Sequence, residues 1–141
     1  MTKPNDLMHI MSTLLFLKKT DLFKDIPSDY LSTVVKLMQE KSYLKEEVLF
    51  KKGDLGNEFF IIKEGAIEIQ LPQGNVTLTQ GQGIGEMSLL DGEARSATVV
   101  IKEDSTLLCL QSKTFNQLLN SYPSIAKSML RMLSLRLREK N

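Results

Sequence analysis

The chain has 141 residues, of which 42% are hydrophobic and 25% are charged, with 18 basic against 17 acidic side chains. This length suits a single domain, and the near-zero net charge argues against a protein that coats nucleic acid or an anionic membrane. No apolar run approaches the roughly 20 residues needed to span a bilayer. All eight glycines lie between Gly53 and Gly92, which predicts a turn-rich β region between helical flanks.

Residues 1–45 are predicted to form an N-terminal helical bundle. A first amphipathic helix is expected over residues 5–18, where apolar residues recur at helical spacing: Leu7, Ile10, Met11, Leu14 and Leu15. A second helix is expected after Pro27, with a single apolar face formed by Leu31, Val34, Val35 and Met38. The two helices are expected to pack together through the apolar residues that link them.

Residues 46–111 are predicted to form a β-barrel. Short apolar runs predict six strands: Val48 to Phe50, Phe59 to Lys63, Ala66 to Leu71, Val76 to Thr79, Ala97 to Ile101 and Thr106 to Leu110. Glu64-Gly65 is expected to form a turn, and residues 102–105 are expected to connect the last two strands. Because no helix-length crossover separates these strands, the pattern favours an antiparallel barrel or jelly roll over a parallel sheet.

Residues 112–141 are predicted to form C-terminal helices. One helix is expected from Ser112 through Asn120, and another begins at Pro123. The last helix carries apolar residues on more than one face: Ile125, Met129, Leu130, Leu133 and Leu137. It is therefore expected to be covered on two sides, either by the barrel with a ligand or by a partner chain.

The chain has one cysteine, Cys109, and one histidine, His9. A single cysteine permits no internal disulfide and fits a reducing compartment, so a cytoplasmic location is expected. The N-terminus does not show the pattern of a secretory signal. One histidine and one cysteine do not supply a zinc site, and no metal is expected. Cys109 lies in an apolar run and is predicted to be a buried strand residue rather than a nucleophile.

The densest polar segment is residues 83–97, and it suits the binding of an anion. Gly85 followed by a short helix-prone run presents backbone N–H groups at a helix start. Arg95, nine residues after Glu86, can return from the loop and place its planar guanidinium beside that anion. The Glu86 carboxylate is an acceptor and suits a hydroxyl near a phosphate. The alternative is that Glu86 and Arg95 form a surface ion pair across a loop.

Two ordered motifs resemble those of the cyclic nucleotide-binding domain family, found in kinase A regulatory subunits, the catabolite activator protein and cyclic nucleotide-gated channels. The first resembles the phosphate-binding cassette of that family and comprises Gly85-Glu86-Met87-Ser88-Leu89-Leu90 and, after a gap, Arg95-Ser96-Ala97. The second resembles the family's first strands and runs from Leu49-Phe50 through Gly53-Asp54, Gly56 and Phe59-Phe60 to Gly65. The resemblance implies an eight-stranded antiparallel β jelly roll flanked by helices.

The resemblance also implies how the residues of the cassette, taken as residues 83–97, would contact a ligand. Glu86 would accept the ribose 2′-OH, and Arg95 would pair with the cyclic phosphate. Gly85 would allow close approach of the backbone. The other implied contacts are the backbone amides of Met87, Ser88 and Ala97 and the hydroxyl of Ser96. No metal cofactor is implied.

The base end of the implied ligand is less defined by the sequence. An ungapped count from Tyr122-Pro123 places Arg136 where some channel domains have an arginine facing the base. The alternative is a solvated arginine near a helix C-terminus, where its charge is favourable. The gene regulators of the family carry a DNA-binding helix-turn-helix after this domain. The present sequence shows none, so DNA binding is not expected. Gly83-Ile84 stands where aromatic residues are common in the family.

The resemblance implies a stand-alone regulatory sensor that binds a cyclic nucleotide and has no catalytic activity. cAMP is the favoured ligand and cGMP the second; the cassette would close on the ligand and reposition the C-terminal helix. A protein effector is expected, reached through that helix or through a homodimer, with no DNA or membrane partner. Two alternatives are considered. One is a protein-interaction domain that does not depend on nucleotide. The other is a phosphodiesterase, which is disfavoured because a single histidine does not supply a set of metal ligands.

Overall fold

The computed structural model describes residues 7–85, 94–128, 130–131 and 134. Two helices come first, six strands follow, and a further helix comes after the last strand. In chain order they are α1 (Leu7–Lys18), α2 (Ser28–Leu37), β1 (Gln39–Tyr43), β2 (Val48–Phe50), β3 (Glu58–Gln70), β4 (Val76–Leu78), β5 (Gly83–Ile84), β6 (Thr98–Gln111) and α3 (Ser112–Ser121). Residues 124–128 are also helical. The expected order of helices, strands and helices is confirmed.

The strands form one antiparallel sheet, as predicted, with the order β1-β6-β3-β4. β2 pairs with β6, and β5 pairs with β3. The two long strands, β3 and β6, pair along almost their whole length, from Glu58 opposite Gln111 to Gln70 opposite Thr98. Every other strand of the described sheet is therefore attached to this central pair.

The turn predicted at Glu64-Gly65 is wrong, and so is the connection predicted at residues 102–105. Both segments lie inside β3 and β6, where the pairing shifts register between Ile62 and Ile67. The buried Ser105 holds this irregular region together, because its Oγ accepts the N–H of Ala66 at 3.1 Å and donates to the carbonyl of Glu103 at 2.6 Å. Such bulges bend a strand without ending it. The bulges divide each long strand into two segments. Together with the four short strands, the described sheet therefore has eight strand segments.

β1 is absent from the sequence prediction, and the sheet begins at Gln39 instead of residue 46. Its sequence, Gln-Glu-Lys-Ser-Tyr, has no apolar alternation that would indicate a strand. The strand forms because each of its residues pairs with β6, from Gln39 opposite Cys109 to Tyr43 opposite Ser105. β5, which has two residues, is also absent from the prediction.

β3 lies between two apolar clusters. Phe59 and Ile61 belong to an outer cluster that includes residues of α1, α2 and α3, and Phe59 stacks on Phe115 at 4.7 Å between ring centroids. Phe60 and Ile62 point to the other face and belong to an inner cluster with residues of β4, β5 and β6. Because successive side chains of a strand alternate between faces, the four consecutive buried residues show that both faces of β3 are covered.

α1 differs from its prediction in which residues are buried. Its buried residues are Ile10, Thr13 and Leu17. Leu7, Met11 and Leu15, which the sequence places on the apolar side of the helix, are exposed. The helix therefore has one apolar face against the outer cluster and a second that no described residue buries.

Candidate functional site

Four of the eight predicted site residues lie in the described part of the chain: Gly85, Arg95, Ser96 and Ala97. The other four, Glu86, Met87, Ser88 and Arg136, lie outside the described residues. The structure brings Gly85 and Arg95 together, since Nη1 of Arg95 donates to the carbonyl oxygen of Gly85 at 3.1 Å. Ser96 is exposed, whereas Ala97 is buried in the inner cluster directly before β6.

Arg95 is buried, with 6% of its surface exposed. Besides the bond to Gly85, its Nη2 donates to the carbonyl oxygen of Glu58 at 2.9 Å. The guanidinium carbon lies 4.1 Å from the centroid of the Phe50 ring and 5.9 Å from that of Phe60. Carbonyl dipoles and aromatic faces stabilise a cation without cancelling its formal charge. The described contacts therefore fix the guanidinium in a partly apolar place, where electrostatic interactions are stronger than in water.

The loop between β2 and β3 fixes the backbone of Arg95. The Arg95 amide donates to the carbonyl of Asp54 at 2.7 Å, and the Gly53 amide donates to the carbonyl of Arg95 at 2.9 Å. The Asp54 carboxylate accepts the amide of Lys51 at 2.9 Å, which closes the loop on itself. The backbone of Arg95 is therefore positioned by residues about 40 positions earlier in the sequence.

Two glycines leave the space that the Arg95 side chain fills. A Cβ at Gly56 would lie 2.9 Å from Cδ of Arg95 and closer still to the guanidinium. A Cβ at Gly85 would lie 2.7 Å from Nη1 of Arg95 and 2.9 Å from the Glu58 carbonyl oxygen. Gly85 also has a φ of +101°, a conformation that side chains other than glycine rarely adopt.

Three residues around Arg95 are absent from the predicted site: Phe50, Gly56 and Glu58. Gly56 stands in the second motif quoted above, but the resemblance assigns it no contact with a ligand. Phe50 stands in that motif as well. The contact made by Glu58 uses its backbone carbonyl, which every residue has, so no side-chain pattern indicates it.

A second polar group lies on the same side of β3 as Phe60. The Lys41 ammonium lies 3.3 Å from the Glu58 carboxylate, and both side chains are partly exposed. Burial raises the pKa of the neighbouring Cys109 thiol to about 12; Lys41 opposes the shift and Glu58 adds to it. Burial also raises the pKa of Tyr43 to about 12, with smaller contributions from Cys109, Glu58 and Glu47. Cys109 is 2% exposed and lies on β6, so its predicted burial in a strand is confirmed.

Across the described ranges, no group of three or more His, Cys, Asp or Glu side chains is arranged to hold a metal ion. None of the helices in the same ranges is long and apolar enough to cross a bilayer.

The sequence of the chain matches a known protein family. The sequence model of the family described as "Cyclic nucleotide-binding domain" matches residues 40–122. The chain is 28% identical over 120 residues to cGMP-dependent protein kinase 2 of Homo sapiens, covering 79% of this chain and 16% of the relative. It is 32% identical over 136 residues to cyclic nucleotide-gated channel beta-3 of Canis lupus familiaris, covering 90% and 17%. The chain thus spans about one sixth of the length of each of these two relatives.

A solved structure, described as Sp-2Cl-cAMPS bound to PKAR CBD2, has a similar fold. It superposes with a TM-score of 0.80 at 25% sequence identity and covers 92% of this chain and 90% of its own. The jelly-roll fold implied by the sequence resemblance is confirmed by this likeness. The family is one of ligand-binding regulatory domains, and its model covers more than half of the sequence. The chain belongs to the cyclic nucleotide-binding domain family.

Proposed function

We propose that this chain binds cAMP in preference to cGMP and that the cyclic phosphate lies against Arg95. The buried guanidinium of Arg95, held by the carbonyl oxygens of Gly85 and Glu58, is the observation that carries the proposal. Its planar fork suits two phosphate oxygens at once. The cAMP analogue in the similar solved structure favours cAMP, and the likeness to a cGMP-dependent kinase makes cGMP the second candidate.

The remaining contacts of the proposal are those that the family resemblance implies. Glu86 accepts the ribose 2′-OH, and Arg136 faces the base. The backbone amides of Met87, Ser88 and Ala97 and the hydroxyl of Ser96 complete the phosphate site. Ala97 supports this set because its buried side chain fixes the backbone one residue beyond Ser96.

In this proposal the chain is a regulatory module whose output is a shift of the C-terminal helix toward a protein effector. Ser128 and Arg131 of that helix line a cleft of about 250 Å³, together with Thr20 and Gln82. A movement of the helix would change this cleft, which the connection between α1 and α2 also lines. Ligand drives such a shift only by binding the two arrangements with different affinity.

The test is calorimetric titration of cAMP and of cGMP into the wild-type protein and two variants. Arg95→Ala removes the proposed phosphate partner; losing one partner of a buried charge pair costs about 2–5 kcal/mol, so affinity should fall at least about thirtyfold. Lys45→Ala removes one positive charge at an exposed site whose described bond to Asp104 uses the backbone amide, and it should bind as wild type does.

Two results would overturn the proposal. The first is an Arg95→Ala protein that binds both nucleotides as tightly as wild type. The second is a wild-type protein that binds neither nucleotide at millimolar concentration, and this result would favour a nucleotide-independent interaction domain. Ligand at a hundred times its dissociation constant stabilises a protein by about 2.7 kcal/mol, so a thermal shift checks the same binding independently.

A further inference from the structure

The ring of Phe50 lies against the charged group of Arg95. The guanidinium carbon is 4.1 Å from the centroid of this ring and 5.9 Å from that of the Phe60 ring. Both distances fall within the roughly 6 Å over which the negative face of an aromatic ring attracts a cation. The attraction grows where water is excluded, and Arg95 is buried. Phe50 is the nearer ring and therefore contributes more to this contact.

An irregularity in the pairing of β2 accounts for the position of the Phe50 ring. Val48 lies opposite Val100 of β6. Phe50 comes two residues later but lies opposite Val99, only one residue further along β6. This is the two-against-one pairing of a β-bulge, a feature that re-aims a side chain. Phe50 accordingly packs against the inner cluster while Val48 is exposed, although in a regular strand the two would share a face.

Hydrogen bonds tie the segment that carries Phe50 to the segment that carries Arg95. The amide of Gly53 donates to the Arg95 carbonyl at 2.9 Å. The amide of Lys52 donates to the hydroxyl of Thr98 at 2.9 Å. The ring and the guanidinium are therefore held close together before any ligand binds, and a group that is already ordered loses less freedom on binding.

The ring and the two carbonyl groups restrain different parts of the Arg95 side chain. The carbonyl oxygens of Gly85 and Glu58 accept hydrogen bonds from Nη1 and Nη2, at the ends of the guanidinium fork. The Phe50 ring lies at its central carbon. A fork fixed at its ends and at its centre has a defined direction, which bidentate binding of a phosphate requires.

We propose that Phe50 is the positioning residue of Arg95, and that its ring holds the guanidinium by a cation–π contact in the orientation that receives the cyclic phosphate. This inference rests on the proposed function, because it names the residue that orients the proposed phosphate partner. Its physical content is that the electrostatics of the ring face matter, and not only the space that the ring fills. A ring of the same shape with a weaker negative face should therefore orient Arg95 less well.

Calorimetric titration of cAMP into proteins with fluorinated phenylalanine at position 50 tests this point. Fluorine withdraws electrons from the ring face and weakens its attraction for a cation, while the shape of the ring changes little. Affinity should fall stepwise through the mono-, di- and pentafluorinated rings, by about five- to thirtyfold over the series. Phe50→Leu should lose about as much. Phe50→Tyr keeps the negative face and should bind cAMP within about threefold of wild type.

Phe16 offers a matched control for the change at Phe50. It is a half-buried phenylalanine as well, but it lies on α1 and packs against the outer cluster. The same fluorinated rings at position 16, and the Phe16→Leu substitution, should leave the affinity for cAMP unchanged. A loss that is equal at the two positions would overturn the proposal, because it would reflect packing and not the contact with Arg95.

Urea denaturation without nucleotide measures the same contact independently of binding. Because the ring already lies against Arg95 in the structure, fluorination at position 50 should lower the free energy of unfolding stepwise. This trend should disappear in an Arg95→Met background, which has no charge for the ring to attract. A trend that persists in that background, or no trend in the wild-type background, would overturn the proposal. The titration is decisive even where Arg95→Met does not fold.

The outcomes separate this inference from the proposed function. If the wild-type protein binds cAMP and Arg95→Ala weakens binding, but fluorination at position 50 changes nothing, Phe50 does not position Arg95 and the proposed function stands. If the wild-type protein binds neither cAMP nor cGMP, the proposed function is wrong and the role of Phe50 in binding is wrong with it. A stepwise loss of affinity at position 50 alone is the result that the cation–π contact predicts.

Discussion

Gly56 lies directly against the side chain of Arg95. The two residues are 39 positions apart in the sequence, yet a Cβ at Gly56 would lie 2.9 Å from Cδ of Arg95 and closer still to Nε and Cζ. The backbone of Gly56 does not have a positive φ, so other residues can adopt its conformation. A side chain at position 56 has no room, because the buried guanidinium of Arg95 already fills the space beside it.

We predict that Gly56→Ala weakens nucleotide binding more than it weakens folding. The added methyl group must displace the Arg95 side chain, which breaks its hydrogen bonds to the carbonyls of Gly85 and Glu58. Each hydrogen bond to a charged group contributes about 1.5–3 kcal/mol, so losing one of them is expected to cost about tenfold or more in affinity. Calorimetry with cAMP should show at least a tenfold loss of affinity.

The matched control for Gly56→Ala is Leu55→Ala, in the same loop. Leu55 is 89% exposed, so its truncation changes the loop surface without filling any space beside Arg95. This variant should bind cAMP as wild type does. If Gly56→Ala kept full affinity, the proposed role of the Arg95 orientation would be wrong.

The sequence predicts the longer apolar strands and misses β1, which is polar, and β5, which has only two residues. The strand from Phe59 to Lys63 is predicted because a short apolar run bounded by turns indicates a strand. Gln39–Tyr43 has no such pattern, because its strand depends on pairing with β6, about 65 residues later. The Glu64-Gly65 dipeptide shows why turn chemistry misleads, since the residues that reverse a chain also accommodate a bulge.

Some residues of the candidate site are predicted from the sequence and others are not. Gly85 and Arg95 were both predicted as site residues, and the structure joins them by a hydrogen bond. Phe50 and Gly56 were not predicted as such, because their contact with Arg95 is long-range and depends on how β2 and β3 place their connecting loop. A ring 4.1 Å from a guanidinium and a glycine that leaves room for it become visible only in three dimensions.

The bend shared by β3 and β6 should depend on Ser105. We predict that Ser105→Ala lowers the free energy of unfolding by about 1–3 kcal/mol, because the amide of Ala66 loses its described bond to the Ser105 hydroxyl in a buried place. Urea denaturation measures this quantity. Ser42→Ala, at an exposed position of β1, is the matched control and should change it by less than about 0.5 kcal/mol. An equal effect of both substitutions would contradict this role of Ser105.

Cys109 should make the protein less stable at alkaline pH. Burial raises the pKa of its thiol from 9.0 to about 12, with Lys41 opposing this and Glu58 adding to it. The folded state therefore holds the proton more tightly than the unfolded state does. The resulting contribution to stability is complete below about pH 9 and is lost as the pH rises from about 9 toward 12.

We predict that Cys109→Val, which keeps an apolar side chain of similar size but cannot ionise, removes this loss. The difference in unfolding free energy between wild type and Cys109→Val should be constant near neutral pH, since the thiol is protonated in both states. Above about pH 9 it should change in favour of the variant by about 1 kcal/mol per pH unit, because each unit of pKa shift corresponds to about 1.4 kcal/mol. Tyr43, whose pKa is also raised to about 12, is present in both proteins, so most of its contribution cancels in the comparison. Urea denaturation at about pH 8 and pH 10.5 measures the difference, and a parallel decline of the two proteins would show that the thiol does not titrate on unfolding.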